Sequence, residues 1–466
     1  MANAHAIGAP DRAHPALTLL ATSLGTFVAI LDTSVVNLAL HSIQKDLRCS
    51  MGTLQWIMDA YTLVYAGFIL TGGALSDRYG RRLVFMAGMG VFGAGTLVCA
   101  LAPAAPVLLA GRALSGFGAA LELPAALAIL NVSFEGRSRS SAIAIWASAN
   151  GLAMGIGPTV GGLLLAAFGW RSLFYVVLPF VLATVALSAA IPESRAEKGR
   201  SLDAPGQVLG ILALVALCLG LVQAPAWGWT SLATWSAVGT GLVAVALFVL
   251  WEVRARAPML APALFRNRVF SSGLVVALLM TVGFYVLLFV FPLYLQVTRG
   301  HSALRTGLEL LPQSVTFFLV SSLMTGKLVG RLGPRVMVSL GFAFSAVATL
   351  GIALLAGRAP DYWLALCLFS SGLGFACMTG PVSNIPVANA PRNESGMSSG
   401  AVNVARMVGA TFGVAIVGSF VGSVGRAPSA HEVERGMRGV LVLGAAVHAL
   451  GALVAVTLLR RDSLEA

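Results

Sequence analysis

Long apolar runs separated by short polar connectors repeat along the whole chain of 466 residues. Most runs are close to the ~20 residues that an α-helix needs to cross a bilayer. Transmembrane β-strands would instead alternate apolar and polar residues over ~10 positions. The pattern therefore predicts an all-α polytopic membrane protein with fourteen helices, at residues 16–38, 54–75, 83–102, 106–131, 141–167, 172–191, 205–223, 232–251, 270–296, 304–326, 335–356, 361–388, 397–422 and 439–459.

Composition and charge agree with a membrane protein. Hydrophobic residues make up 58% of the chain and charged residues 10%, against roughly 25% charged residues in a soluble domain. The net charge of +12 does not require a nucleic-acid partner, because the connectors alternate in charge. With helix-end residues counted in the adjoining connectors, nineteen of the 30 Lys and Arg fall on one side and nine on the other. The positive-inside rule then predicts that both termini are cytoplasmic.

The first apolar run and the cysteines exclude two simpler interpretations. The run "ALTLLATSLGTFVAILDTSVVNLALHS" exceeds the 7–15 residues usual in the apolar part of a signal peptide, and it contains Asp32. It is therefore expected to remain as the first helix. The five cysteines form no CxxC pair and four of them lie in predicted helices, so we expect neither a metal site nor a structural disulfide, and no cofactor.

A charged turn occurs twice with the same spacing. "GALSDRYGRRL" begins at Gly73 and "GKLVGRLGPRV" at Gly326, an offset of 326 − 73 = 253 residues. This offset aligns predicted helices 9–14 with helices 1–6 in sequence and leaves helices 7 and 8 between the two copies. The predicted domains are residues 1–192 and 269–466, each a six-helix bundle, with a linker and two extra helices at 193–268. Parallel six-helix repeats are typical of one large class of secondary transporters.

Six motifs, in order and on matching helices, carry a family resemblance. They are "LDTSVVNLAL" in helix 1, "GALSDRYGRRL" between helices 2 and 3, "GRALSGFGAA" in helix 4, "GLAMGIGPTVGG" in helix 5, "GWRSLFYVVLP" opening helix 6 and "SGAVNVARMVGATFG" in helix 13. The chain resembles the major facilitator superfamily, and its fourteen helices resemble the drug:proton antiporter branch, including exporters of the methylenomycin-resistance type. The resemblance implies a monomer in the bacterial inner membrane that is driven by the proton gradient.

The resemblance also implies a role for the first charged turn. In the family this loop is a cytoplasmic latch that favours the outward-open state, and the matching residues here are Gly73, Asp77, Arg78, Gly80 and Arg81. The second turn keeps Arg331 but has Gly330 where the first has Asp77, so we expect a weaker second latch. The alternative is that the arginines only enforce topology, although an acid contributes little to that.

Depth along the helices groups the buried charges. At 1.5 Å per residue, Asp32, Asp59 and Arg112 are expected in one layer of the outer half of the membrane, facing a cavity. Glu122 lies ~15 Å deeper than Arg112. We assign proton coupling to Asp32, Asp59, Arg112 and Glu122, with Asp32 as the proton carrier that matches the family. Glu122 departs from the family pattern and is a substrate contact, a second proton site or a neutral packing acid.

Two further helices supply candidate site residues. On helix 13, Asn403 and Arg406 share a face, and anion binding, proton coupling or a structural ion pair remain open for Arg406. The expected substrate cavity comprises Asp32, Asn37, Glu122, Asn403, Arg406 and Tyr285. Helix 5 resembles the antiporter signature that seals one face against leak, and close packing is the alternative. Its residues here are Gly155, Gly157, Pro158, Gly161 and Gly162.

Other residues carry weaker predictions. Glu309 either reaches the membrane interface or lines the pore, and His448 is more typical of a packing residue than of a proton carrier. Tyr294, like Tyr285, is a candidate contact for a flat substrate. Trp227, Trp229 and Trp235 are expected at the membrane interface.

The chain has no GxxxxGK[ST] sequence and no soluble domain, which disfavours an ATP-driven pump. Its six scattered histidines do not suggest an enzyme. The resemblance favours export of lipophilic drugs or antibiotics by proton antiport. Proton-coupled transport of a small metabolite or organic acid is the alternative, because the intramembrane carboxylates suit cations whereas Arg112 and Arg406 suit acids.

Overall fold

The computed structural model describes residues 15–195, 203–255, 258–356, 360–390, 395–421 and 430–459. The regular elements in these ranges are helical. They are α1 (Pro15–Leu47), α2 (Met51–Tyr79), α3 (Arg81–Leu101), α4 (Ala105–Ser133), α5 (Gly136–Phe168), α6 (Ser172–Tyr175), α7 (Val177–Ser188), α8 (Ala204–Trp227), α9 (Leu232–Arg254), α10 (Arg268–Leu293), α11 (Ala303–Glu309), α12 (Leu311–Leu323), α13 (Thr325–Leu332), α14 (Pro334–Leu355), α15 (Asp361–Ala388), α16 (Ser395–Val421) and α17 (Ala430–Leu458), with a 3-10 turn at Pro262–Arg266 and a π turn at Tyr294–Thr298.

Twelve helices in the described ranges are long and apolar enough to cross a membrane. The bent pair α12 and α13, which meet at 62°, raises the number to thirteen if it forms one span. The predicted count of fourteen is therefore not confirmed. The sixth predicted span, 172–191, forms the shorter apolar helix Ser172–Ser188. A straight helix of that length covers about 26 Å, less than the ~30 Å hydrocarbon core.

Local chemistry sets several helix ends. The Asp203 carboxylate accepts a hydrogen bond from the Gly206 amide at 3.0 Å and caps α8, while Pro205 occupies its first turn. The two charged turns both reverse direction at a glycine with positive φ, +124° at Gly80 and +79° at Gly333. This backbone region favours glycine, so the repeated sequence produces a repeated turn.

The two halves of the chain use similar packing. In the first half α1 packs on α5 and α3 on α4, and in the second half α10 packs on α16 and α14 on α15. A Cβ at Gly88 would lie 2.9 Å from the Gly118 carbonyl oxygen, and a Cβ at Gly341 would lie 2.6 Å from that of Gly374. Small residues permit this close helix approach in both halves. The domain bounds 1–192, 193–268 and 269–466 stay a prediction, since residues 1–14, 196–202, 256–257 and 460–466 lie outside the described ranges.

The extra helices α8 and α9 form a pair that lies against the rest of the protein through α8. Gln207 on α8 donates a hydrogen bond to the Gly67 carbonyl on α2. Further along, Cys218 and Val222 of α8 share a buried cluster with Leu63 of α2 and Ala415 of α16. The pair therefore covers the line along which α2 and α16 meet.

The halves also meet at the end of the molecule that carries the α1–α2 loop. Gln296 donates a hydrogen bond to the Leu38 carbonyl at 3.1 Å. A Cβ at Gly307 of α11 would lie only 2.4 Å from the Pro158 carbonyl oxygen of α5, and a Cβ at Gly162 would lie 2.9 Å from the Ala303 carbonyl oxygen. Glycine thus allows the backbones of the two halves to touch and close this end.

Candidate transport cavity and its buried charges

A cavity of about 150 Å³ lies between the two halves. Helices α1, α2, α4 and α5 line it from one side and α10, α12, α15 and α16 from the other. Its wall is mostly apolar and aromatic with a few hydroxyl and amide groups, as is typical of small-molecule sites. An arrangement with contributions from both halves can bind a small compound and release it when the halves move.

Asp32 and Arg112 form a fully buried ion pair beside this cavity. Arg112 Nη1 donates to Asp32 Oδ2, and Arg112 Nε donates to the Ile57 carbonyl at 3.3 Å. The guanidinium carbon lies 4.5 Å from the ring centroid of Tyr61, which lines the cavity. The pair that the depth argument placed together is in contact, and Tyr61 separates it from the cavity.

Asp59 does not join this pair, so the expected cluster of two acids and one arginine is wrong in that part. Its carboxylate is buried and accepts a hydrogen bond from the Cys218 thiol at 3.5 Å. Depth along α2 fixes how far Asp59 lies in the membrane but not the direction in which it points. It points to α8, one of the two helices that the repeat does not include.

Glu122 is buried on α4 and faces α1. Its carboxylate accepts a hydrogen bond from Thr26 Oγ1 at 3.2 Å, and Thr26 Oγ1 accepts one from Trp146 Nε1 at 2.9 Å. In the described part of the chain it has no salt-bridge partner, and a Cβ at Gly25 would lie 2.9 Å from its oxygen. Thr26, itself bonded to Trp146, therefore holds Glu122 by a hydrogen bond, and no described cation does so.

The predicted cavity residues divide into two groups. Tyr285, Asn403 and Arg406 line the cavity. Asp32, Asn37 and Glu122 do not line it in this conformation. Their side chains are buried within the first half, where Asn37 donates to the Thr33 carbonyl at 3.1 Å, and their place in the substrate site stays a prediction. On one helix, residues that line the cavity lie next to residues that contact other helices. Sequence spacing alone does not show which of the two a given residue does.

Sequence reasoning missed the aromatic wall of the cavity. Tyr61 and Tyr65 of α2 stack with their ring centroids 6.2 Å apart, and their i, i+4 spacing on one helix face was a usable signal. Phe284 and Phe375 stack across α10 and α15 at 4.0 Å, with Phe317 beside them. No sequence signal links these last residues, because they are brought together only by the packing of three helices.

Arg406 is the one formally charged residue among the described residues that line the cavity. It lies near the hydroxyl groups of Tyr65 and Tyr285. No described acid forms a salt bridge with it, and its Nε is buried without a hydrogen-bond partner. The cavity therefore presents a cation to whatever occupies it.

Comparison with known sequences decides the family. The sequence profile of the Major Facilitator Superfamily matches residues 22–414. The chain belongs to this superfamily. It is 37% identical over 408 residues to multidrug resistance protein Stp of Mycobacterium tuberculosis, covering 86% of this chain and 75% of that protein. It is 33% identical to the tetracenomycin C resistance and export protein of Streptomyces glaucescens (90% and 78% covered) and to the methylenomycin A resistance protein of Streptomyces coelicolor (86% and 84%).

Solved structures support the fold. A crystal structure of the peptide transporter POT in complex with sulfate superposes with a TM-score of 0.70 at 17% identity, covering 96% of each chain. At this identity the likeness concerns the fold alone. Together with the family and its transporter relatives, it identifies the chain as a multi-pass membrane transporter rather than an enzyme.

The charged turn of this superfamily member is bound to the end of the first half. Arg81 and Asp77 form an ion pair at 3.1 Å within the turn. Glu193, which sequence reasoning missed, accepts hydrogen bonds from the Arg82 and Leu83 amides at 3.1 and 3.0 Å and so caps α3. The latch role of the turn, including Gly73, Arg78 and Gly80, stays a prediction.

In the second charged turn Gly330 takes the place of the acid, and this part of the turn makes no comparable contacts with described residues. Gly330 and Arg331 are exposed, and a Cβ at Gly330 would meet no atom within 4 Å. Arg335 of this turn donates a hydrogen bond to the Val456 carbonyl of α17.

The glycines of α5 serve two different contacts. A Cβ at Gly157 would lie 2.4 Å from Ser34 Oγ, and one at Gly161 would lie 3.2 Å from Val35, so both glycines face α1. Gly155 and Gly162 face the other half, next to Ser314 and Ala303, and Pro158 lines the cavity. This segment of α5 therefore packs on α1 with one face and on the other half with a second face.

The remaining candidates lie outside the cavity. Glu309 pairs with Arg305 at 2.9 Å and with His301 at 3.1 Å at the end of α11. Tyr294 is buried and accepts a hydrogen bond from Arg299 Nε at 3.0 Å, so it does not meet a substrate in this cavity. His448 packs against Gly283 and Phe342.

Proposed function

We propose that the protein is a proton-coupled exporter of lipophilic drugs or antibiotics that works by alternating access. It would act as a monomer in the bacterial inner membrane, with both termini in the cytoplasm and the α1–α2 loop outside. The resistance and export named for its relatives support this direction of transport. A cavity lined by both halves supports alternating access, because each half supplies one wall.

The observation that carries proton coupling is the buried Asp32–Arg112 pair behind Tyr61. A carboxylate away from water is costly when charged, unless a cation or a proton compensates it. Arg112 supplies the cation, so Asp32 can exchange between an ion pair and a protonated acid. A ligand that displaces Tyr61 would disturb this pair, and substrate and proton would then compete.

In the proposed cycle, protonation from outside releases the substrate, and loss of the proton to the cytoplasm restores the binding state. Glu122 lies outside the cavity and lacks a paired cation in the described ranges. Of the roles left open by its sequence, we therefore favour a second proton site over substrate contact. Asp59 is proposed as a further proton-coupling residue, whose hydrogen bond to Cys218 depends on the position of α8.

The second candidate function is proton-coupled transport of a small organic acid. It is favoured by Arg406, a cation in the cavity wall that pairs with no described acid. Direction separates the two candidates, because disruption of an exporter raises the cellular content of its substrate and disruption of an importer lowers it.

The test uses a bacterial host that lacks its own major efflux systems. Expression should raise resistance to some compounds of a broad antibiotic panel and lower their accumulation in cells. In inside-out membrane vesicles, uptake of the same compounds should require an acidic interior and stop when a protonophore collapses the gradient. Unchanged resistance together with increased accumulation of organic acids would instead assign the second function.

A further inference from the structure

Arg406 raises a question that proton coupling does not answer. The three buried acids of the first half have partners of their own: Asp32 contacts Arg112, Asp59 contacts Cys218 of α8, and Glu122 contacts Thr26. None of these acids lines the cavity. No acid in the described ranges therefore compensates Arg406 in this conformation, and a ligand in the cavity can supply that charge.

The surroundings of Arg406 do not neutralise it. Tyr65 and Tyr285 are its polar neighbours, and a phenol is uncharged near pH 7. Asn403, one turn away, donates its amide to the Ser399 carbonyl. A guanidinium in a low-dielectric site without an anion is unfavourable, so an anionic ligand gains more there than at the protein surface.

Three phenylalanines on neighbouring helices of the same half indicate what the rest of the ligand is. Phe284 and Phe375 are nearly parallel, at an interplanar angle of 16°, and Phe317 lies 5.4 Å from Phe375 between ring centroids. All three line the cavity together with Tyr65 and Tyr285. Aromatic walls favour flat rings through offset stacking and edge contacts.

We propose that the cavity binds flat aromatic compounds that carry an acidic oxygen, and that Arg406 binds this oxygen. The proposal rests on the transport function above and specifies its substrate class. A carboxylate can accept two hydrogen bonds from one guanidinium, which gives both orientation and affinity. Lipophilic cations are disfavoured, because the acids that would attract them lie behind the cavity wall.

Binding to the purified full-length protein in lipid nanodiscs tests this with three probes on one ring system. They are naphthalene-2-carboxylate, the uncharged naphthalene-2-carboxamide and the cationic 2-naphthylmethylammonium. We expect the wild type to bind the carboxylate about tenfold or more tightly than the amide, since charge-assisted hydrogen bonds are the stronger ones. The cation should bind most weakly.

Two variants and a control assign the effect to Arg406. Arg406→Gln should lose the preference for the carboxylate while its affinity for the amide stays within about twofold, and Arg406→Lys should keep part of the preference. Arg305→Gln removes an arginine outside the cavity and should leave all three affinities unchanged. Each variant must first show the gel-filtration profile of the wild type.

Three results overturn the proposal: no binding of the carboxylate to the wild type, tighter binding of the cation, or equal carboxylate affinity in Arg406→Gln. Loss of all three probes in both Arg406 variants would assign a structural role to the residue and also overturn it. The binding assay does not depend on transport. A wild-type protein that shows the expected preference but exports no compound would therefore refute only the proposed export.

Discussion

At the scale of single residues, the Asp32–Arg112 pair is the most constrained feature of the protein. Both side chains are buried and belong to different helices, α1 and α4. Removing one partner of a buried ion pair leaves an uncompensated charge and typically costs about 3–5 kcal/mol. The pair is therefore sensitive both to mutation and to the arrival of a proton.

Asp32→Asn should abolish proton-driven export, because the side chain no longer gains or loses a proton. Substrate added to purified wild-type protein should release protons into a weakly buffered solution, and the variant should release fewer. Asp46→Asn, on the same helix but at its half-exposed end beside Arg171, is the matched control and should behave as the wild type.

If Asp32→Asn folds poorly, the double variant with Arg112→Gln removes the unpaired cation and keeps the test available. Export against a gradient by Asp32→Asn, together with an inactive Glu122→Gln, would transfer the proton role to Glu122.

The sequence predicted the Asp32–Arg112 contact but not the position of Asp59. Helix depth follows from counting residues, and two opposite charges at equal depth in a membrane tend to pair. The rotation of α2 about its axis depends on its neighbours, and α8 has no counterpart in the repeat from which to infer it. Similarly, the sequence motif contains Asp77 and Arg81, whereas Glu193 lies 110 residues beyond Leu83 and outside the motif.

At the scale of elements, the two charged turns share a backbone but not their contacts. Both turn at a glycine with positive φ. The first adds the Asp77–Arg81 pair and the Glu193 cap of α3, while Gly330 and Arg331 of the second are exposed. A partly exposed ion pair contributes at most about 1 kcal/mol, which hardly affects folding but can shift a balanced conformational equilibrium several-fold.

Neutralising the first turn should therefore reduce transport more than neutralising the second. Arg81→Gln and Asp77→Asn should lower the transport rate several-fold at unchanged expression and ligand binding, and Arg331→Gln should have a smaller effect. Initial rates in vesicles, divided by the amount of protein, provide the comparison. Equal losses for Arg81→Gln and Arg331→Gln would mean that the second turn acts as a latch without its acid.

At the scale of the whole molecule, the halves are in contact at the end that carries the α1–α2 loop, which we propose to be outside. This closure depends on backbone contact between α5 and α11, where Gly307 meets the Pro158 carbonyl. A conformational change that opens this end must separate these helices, and a side chain inserted here would hold them apart.

Gly307→Ala should therefore shift the protein towards the conformation that is open to the outside. A cysteine introduced at Met154 in the cavity, on a Cys49→Ser background, should react faster with a membrane-impermeant maleimide added to whole cells. Gly151→Ala is the control, because its added Cβ would lie 3.8 Å from Phe317 and fits without displacement. Equal labelling of the two variants would argue that α5 and α11 do not close the outer side.

The two halves meet along two lines on opposite sides of the protein, here called seams, and the α8–α9 pair covers only one of them. Along one seam α8 covers α2 and α16 through the cluster of Leu63, Cys218, Val222 and Ala415. Along the other, α5 meets α11 and α12, and exposed side chains such as Leu152, Val315 and Leu319 face outward. The bilayer therefore contacts the line between the halves directly on the side of α5 and α12, whereas on the other side two additional helices lie between them.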